Sequence, residues 1–134
     1  MFLLDTDALS ELEKSKPDPG VLAWLENVDW LDLHLSVITV GEIWMGIAAL
    51  PAGRKRQALE AMFELMPDRF FNRILPVTRE IAVKYGEIQA KSGPLPSLDA
   101  LIAATAITHR LTLITHNTRD MARTGAKILC PWLG

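Results

Sequence analysis

The residues of this chain best suited to chemistry are carboxylates placed where strands give way to helices. Asp5 directly follows the apolar run Phe2-Leu3-Leu4, with Thr6 and Asp7 after it. Glu42 begins a helix after a second apolar stretch, and Asp99 begins another. Carboxylates held together repel one another, which raises their pKa values unless a divalent cation neutralises them. All-oxygen ligands without a cysteine set or paired histidines suit Mg2+ or Mn2+. Such an ion lowers the pKa of bound water and stabilises charge on a phosphate under in-line attack, which is the chemistry of phosphodiester hydrolysis.

Each carboxylate also has a structural reading. Asp5, next to an apolar strand, is expected to be partly buried; a buried unpaired charge costs several kcal/mol, so it needs a cation or hydrogen-bond donors. Asp7 reads as a helix N-cap or a surface residue. Thr39-Val40-Gly41-Glu42 matches a capping box, in which Glu42 bonds back to the Thr39 amide. Asp99, shortly after Ser97, can complement a helix dipole for about 0.3–1 kcal/mol.

The elements that must position these groups alternate along the chain. Residues 2–4 read as a strand, followed by a helix through Ala8, Leu9 and Leu12 that Pro17 and Pro19 end. Val21, Leu22, Trp24, Leu25 and Val28 recur at helical spacing. Residues 33–38 alternate as a second strand, residues 40–50 form a helix, and Pro51-Ala52-Gly53 breaks it. A helix over 54–66, a weak strand over 74–77, and a helix capped by Thr78 and closed by Gly93-Pro94 come next. Ser97 is the expected cap of the following helix. Residues 111–115 read as the fourth strand, 117–123 as a short helix and 127–129 as the fifth strand.

This order implies βαβ units, and hence an α/β fold with a parallel sheet covered on both faces in one domain over residues 1–134. Ligands in such sheets sit beyond the carboxyl ends of the strands, at a switch in strand order. A helix following a strand starts near that edge, which brings Glu42 near Asp5. The helix of Asp99 has no strand immediately before it, so the pattern alone does not place it.

Bulk properties limit the function classes. The chain has 134 residues, 49% hydrophobic and 22% charged, as an ordinary globular domain has. Cys130 is the only cysteine, which fits a reducing compartment and excludes a Cys-rich metal site. No apolar run approaches the roughly 20 residues of a membrane span. The N-terminus lacks a basic signal-peptide region, so a cytoplasmic protein is expected. A net charge of −2 argues against a general nucleic-acid coat protein but not against a local phosphate-binding patch. Arg54-Lys55-Arg56 with Arg69, Arg73 and Arg79 is the main basic concentration, and a solvated helix face is its commoner meaning. Trp24, Trp30 and Trp44 are expected in the core or on a homodimer face. His34 and His109 lack partners at ligand spacing.

Four segments together resemble the PIN-domain ribonucleases, specifically the VapC-type toxins of bacterial toxin–antitoxin pairs. They are Leu4-Asp5-Thr6-Asp7, Ser36-Val37-Ile38-Thr39-Val40-Gly41-Glu42, Leu98-Asp99-Ala100-Leu101-Ile102-Ala103-Ala104-Thr105-Ala106 and Leu113-Ile114-Thr115-His116-Asn117-Thr118-Arg119-Asp120-Met121. They stand in family order across nearly the whole chain.

The resemblance implies a three-layer PIN-like fold with strand order 3-2-1-4-5, which sets Asp99 beside Asp5. It implies Mg2+ (or Mn2+) ligation by Asp5 and Asp99, with Glu42 a direct or water-mediated ligand. The family's fourth acidic position falls at Asn117 in some members and at Asp120 in others. Asp120 is taken as the acid with Asn117 as its hydrogen-bonding neighbour, and Thr115, Thr6 and Asp7 as supporting groups. Read from the residues themselves, Arg119 beside the site is the expected RNA contact. His116 is a second candidate, although a lone histidine near a turn is more often structural or solvent-facing. The implied partners are an RNA substrate, a VapB-like antitoxin whose C-terminal segment occupies the groove, and a second copy in a homodimer. Asp7 departs from the family, which usually has Asn there. Two alternatives stand beside this reading. One is an inactive PIN scaffold that binds RNA or antitoxin. The other is a haloacid dehalogenase-type phosphatase with Asp5 as nucleophile and Asp7 as general acid, although Ala8-Leu9 stands where that family has Gly-Thr.

Overall fold

The computed structural model describes residues 1–133. Its middle strand is β1 (Phe2–Leu4), whose two neighbouring leucines point to opposite faces of the sheet. Leu4 joins Leu9, Leu33, Leu35, Phe63 and Phe70 on one side. Leu3 joins Ile102, Ala106, Leu113 and Met121 on the other. A strand buried on both faces needs a continuous apolar run, and Phe2-Leu3-Leu4 supplies it.

After β1 come α1 (Thr6–Glu11) and α2 (Pro19–Glu26), then β2 (Leu33–Ser36) and α3 (Val37–Ala48). Next are α4 (Arg54–Glu64), α5 (Met66–Arg69), β3 (Ile74–Leu75) and α6 (Arg79–Ser92). The chain continues through α7 (Ser97–Thr108), β4 (Thr112–Ile114), α8 (Thr118–Ala122) and β5 (Ile128–Leu129). The five strands pair in the order β3-β2-β1-β4-β5, every pair parallel, as the family resemblance implies.

Several boundaries differ from the periodicity, each for a local reason. The second strand stops at Ser36, because its hydroxyl accepts from the Ile38 amide at 3.0 Å and starts α3 there. The capping box at Thr39 therefore does not form. The helix expected over 54–66 divides at Leu65, and Pro67, which lacks an amide donor, stands in the first turn of the next piece. Pro76 limits the third strand to Ile74 and Leu75. Ser97 is the first helical residue of α7, and Pro96 occupies the cap position without a side-chain bond. Asp5, not Asp7, caps α1.

Helix α7 is buried almost all round, from Ala100 to Ala106. Its small residues let it pack between the sheet and α6, where Ala100 and Ala104 meet Ile81, Ile88 and Leu95. Trp24 and Trp44 pack against the core cluster on the α3 side, whereas Trp30 stays 40% exposed beside Phe70. No helix among the described residues is long and apolar enough to cross a membrane.

Candidate metal centre

Strand order reverses between β1 and β4, so the crevice at their carboxyl ends is where an open α/β sheet binds ligands. The register pairs Leu4 with Ile114, which sets the next residues, Asp5 and Thr115, side by side at that edge. The Asp5 amide continues the ladder to the Ile114 carbonyl at 3.1 Å. Asp5 is only 5% exposed. One of its oxygens accepts from the Ala8 amide at 2.8 Å, and the Thr115 hydroxyl donates to the carboxylate. Those donors do not offset its burial, which, with the Asp7 and Asp99 charges, pushes its pKa from 3.8 to about 6.

Asp99 reaches the same edge through helix length. A twelve-residue helix spans about 18 Å at ~1.5 Å per residue. Because α7 ends where β4 begins, its first turn lies back at the carboxyl ends of the strands. Burial raises the Asp99 pKa first, followed by the charges of Glu42, Asp7 and Asp120, while a hydrogen bond from the Asn117 side chain opposes them.

Glu42, in the second turn of α3, accepts from the Thr6 hydroxyl at 2.6 Å. Thr6 also lies 3.3 Å from the buried Thr39 hydroxyl. Glu42 is thus tied across helices to the residue after Asp5 rather than back to its own helix end. Thr39 belongs to this network and not to a cap. Sequence pattern did not reveal that role, because Ser36 and Thr39 are equally plausible caps until the end of β2 is known.

The turn after β4 joins the remaining groups. The Asn117 amide donates to the Thr115 hydroxyl oxygen at 3.0 Å. The Asn117 side chain caps α8 and lies 3.4 Å from Asp120 Oδ2. Asp120 is 35% exposed, and Arg123 stands 3.9 Å from it. Asp7 is exposed in the first turn of α1, and its charge acts on both Asp5 and Asp99. Arg119 is exposed on α8. The His116 ring stacks on Trp132, a residue with no sequence signal for the site. Two arginines of the basic concentration are engaged within the protein instead, Arg56 on its own helix face and Arg73 across segments. Arg56 pairs with Glu60 at 2.7 Å, and Arg73 donates to the carbonyls of Trp30, Leu33 and Arg69.

The donor set fits a hard divalent cation. Among the described residues, no lysine or arginine pairs with Asp5, Glu42 or Asp99. Nor do three Asp, Glu, His or Cys side chains close into a ready-made cage. Mg2+ suits an open carboxylate site of this kind, because it keeps several waters and takes one or two protein carboxylates.

A family model of the PIN domain matches residues 2–127. The chain is 36% identical to VapC ribonuclease Y4jK of Sinorhizobium fredii over 98% of each protein. It is 35% identical to toxin FitB of Neisseria gonorrhoeae over 98% of this chain and 99% of that one. Its backbone matches a chain of the crystal structure of FitAcB from Neisseria gonorrhoeae with a TM-score of 0.93 and 34% identity, covering 100% of both. It matches FitAB bound to a DNA fragment with the same TM-score, over 98% of this chain and 96% of that one. A match of this extent sets aside the dehalogenase-type alternative. By sequence and by fold, the chain belongs to the PIN-domain family, in the group of the VapC and FitB proteins.

Proposed function

We propose that this protein is a Mg2+-dependent endoribonuclease and the toxin of a toxin–antitoxin pair. The observation that carries this reading is the gathering of Asp5, Asp99 and Glu42 at the β1–β4 crevice, with Asp5 and Asp99 held above the ordinary carboxylate range. A relative named as a VapC ribonuclease supports RNA as the substrate.

Asp5 and Asp99 would hold the ion directly, and Glu42 directly or through water. When bound, Mg2+ (or Mn2+) would relieve the carboxylate repulsion, lower the pKa of a coordinated water and offset charge on the scissile phosphate. Thr6 fixes the orientation of Glu42, and Thr115 fixes that of Asp5. Asn117 links Asp99 to Asp120, the outermost acid. Arg119 and His116 line the approach of the RNA.

The solved FitAB and VapBC complexes support a cognate antitoxin as partner. An apolar groove of about 260 Å³ between Glu42, Ile43, Ile47, Leu59 and Phe63 suits the antitoxin segment that blocks the site. A single cytoplasmic PIN domain over residues 1–134, paired as a homodimer, completes the reading.

The test compares cleavage of single-stranded RNA by the wild type and Asp5→Asn, with and without Mg2+. Cleavage is expected only for the wild type with metal. RNA binding without cleavage by the wild type would instead favour the inactive scaffold.

A further inference from the structure

Asp7, whose charge acts on Asp5 and Asp99, also lines an open cleft of about 460 Å³ with Glu11, Lys14, Asp18, His116 and Trp132. The His116 and Trp132 rings stack with centroids 4.8 Å apart and planes 9° from parallel, which makes one aromatic wall. That wall is anchored at both ends. The Leu133 amide donates to Asp18 Oδ1 at 3.2 Å, and the Pro131 carbonyl approaches Gly20 so closely that an added Cβ would sit 2.2 Å from it. At the other end, His116 lies between Thr115 and Asn117, which bond to Asp5 and Asp99.

The facing wall is acidic. Glu11 is 5% exposed, and its oxygens are taken by the Asp18 amide at 2.9 Å and Lys14 Nζ at 2.6 Å. Lys14 is therefore already committed to Glu11, and the cleft presents the carboxylate of Asp7 beside flat aromatic rings. Such a cleft repels phosphate and accepts hydrogen-bond donors carried on a planar ring. Unstacked bases of single-stranded RNA are recognised by aromatic stacking and by hydrogen bonds to their edges.

We propose that this cleft is a nucleobase subsite, which takes the unstacked base of the nucleotide next to the scissile phosphate. The base extends the His116–Trp132 stack and donates to Asp7. Guanine fits best, because its N1–H and N2–H donors lie side by side opposite one carboxylate. Uracil fits worst, because its only edge N–H is flanked by two carbonyl oxygens that the carboxylate repels. The proposal deepens the ribonuclease reading and rests on it.

The test measures binding of labelled RNA pentamers, carrying G or U at one position in an A background, to the full-length Asp99→Asn protein in Mg2+ buffer. The G oligomer is expected to bind about 10-fold tighter at one position, the scale of a base–aromatic stack plus edge contacts. Trp132→Phe should keep the preference and Trp132→Leu should lose it. Trp132 also packs against the core, so Asp7→Asn at its exposed position is the second variant, expected to narrow the G-to-U ratio. Equal affinities for G and U, or a G-to-U ratio unchanged in Asp7→Asn, overturns the subsite. Cleavage of the same oligomers by the wild type separates the two claims. Cleavage without base preference sinks the subsite alone, whereas a base preference in binding with no cleavage by the wild type sinks the ribonuclease reading alone.

Discussion

The Thr6 hydroxyl donates to Glu42 Oε1 at 2.6 Å, so the residue after Asp5 holds the acid of α3 in place. An O–H to carboxylate bond of this length is charge-assisted and strongly orienting. Thr6→Val should therefore lower Mg2+ affinity and RNA cleavage by about 10- to 100-fold while the protein stays folded. Thr6→Ser, which keeps the hydroxyl, should recover most of the loss. Titration of the thermal midpoint with Mg2+, alongside cleavage rates, checks both.

Asp5 gives the metal-free protein a defined pH dependence. Its pKa is about 6 in the fold against 3.8 as a reference, so the native state binds this proton more tightly than the unfolded chain does. The contribution of Asp5 to stability is complete below 3.8 and is lost as pH rises through about 6. At about 1.36 kcal/mol per pKa unit the loss is about 3 kcal/mol. Asp5→Asn keeps a capping oxygen, so it should raise the metal-free midpoint near pH ~8 and leave it nearly unchanged near pH ~4. A lower midpoint for the variant at the higher pH would contradict the burial account.

Metal should act on the same groups. Mg2+ or Mn2+ at about 100 times its Kd stabilises a native-only site by about 2.7 kcal/mol, or about 10 °C in Tm for a domain of this size. The shift should shrink as pH falls through about 6, because protons compete for Asp5. Asp99→Asn should abolish both the shift and the cleavage. A shift that survives in the Asp5→Asn/Asp99→Asn double variant would falsify the metal site.

Asp120 should matter less than Asp99. It is one-third exposed and has Arg123 within 3.9 Å, so water and a cation already moderate its charge. Asp120→Asn is expected to cost less than about 10-fold in cleavage, below the roughly 10- to 100-fold range of outer contacts to a metal site. An effect equal to that of Asp99→Asn would make Asp120 a ligand.

Arg119→Ala should raise KM for RNA and flatten the salt dependence of binding by about one phosphate contact. The Mg2+-induced thermal shift should stay intact, because Arg119 lies exposed on α8. Loss of that shift would place Arg119 in the support of the metal centre instead.

Much of this molecule was determined by the sequence itself. Phe2-Leu3-Leu4 before Asp5 dictates a strand buried on both faces, and therefore a carboxylate in a poorly solvated place. The alternation of strands and helices dictates a parallel sheet, and the four family segments carry its strand order. These features are local, or repeat at a period that one stretch of chain reveals. Capping was only half legible, because Asp5 and Asp7, or Ser36 and Thr39, compete on equal terms until the pairing ladder defines where a strand stops.

Only the tertiary structure decided which residues meet. Asp99 arrives beside Asp5 because α7 must return to the start of β4, a constraint of path length that no local pattern holds. Glu42 takes its donor from Thr6 rather than from Thr39, and Trp132 meets His116, because strand order and the anchored C-terminal segment bring them together. Residue types limit what chemistry a chain can support; contacts across the sheet edge select which carboxylates share one field and can therefore share one ion.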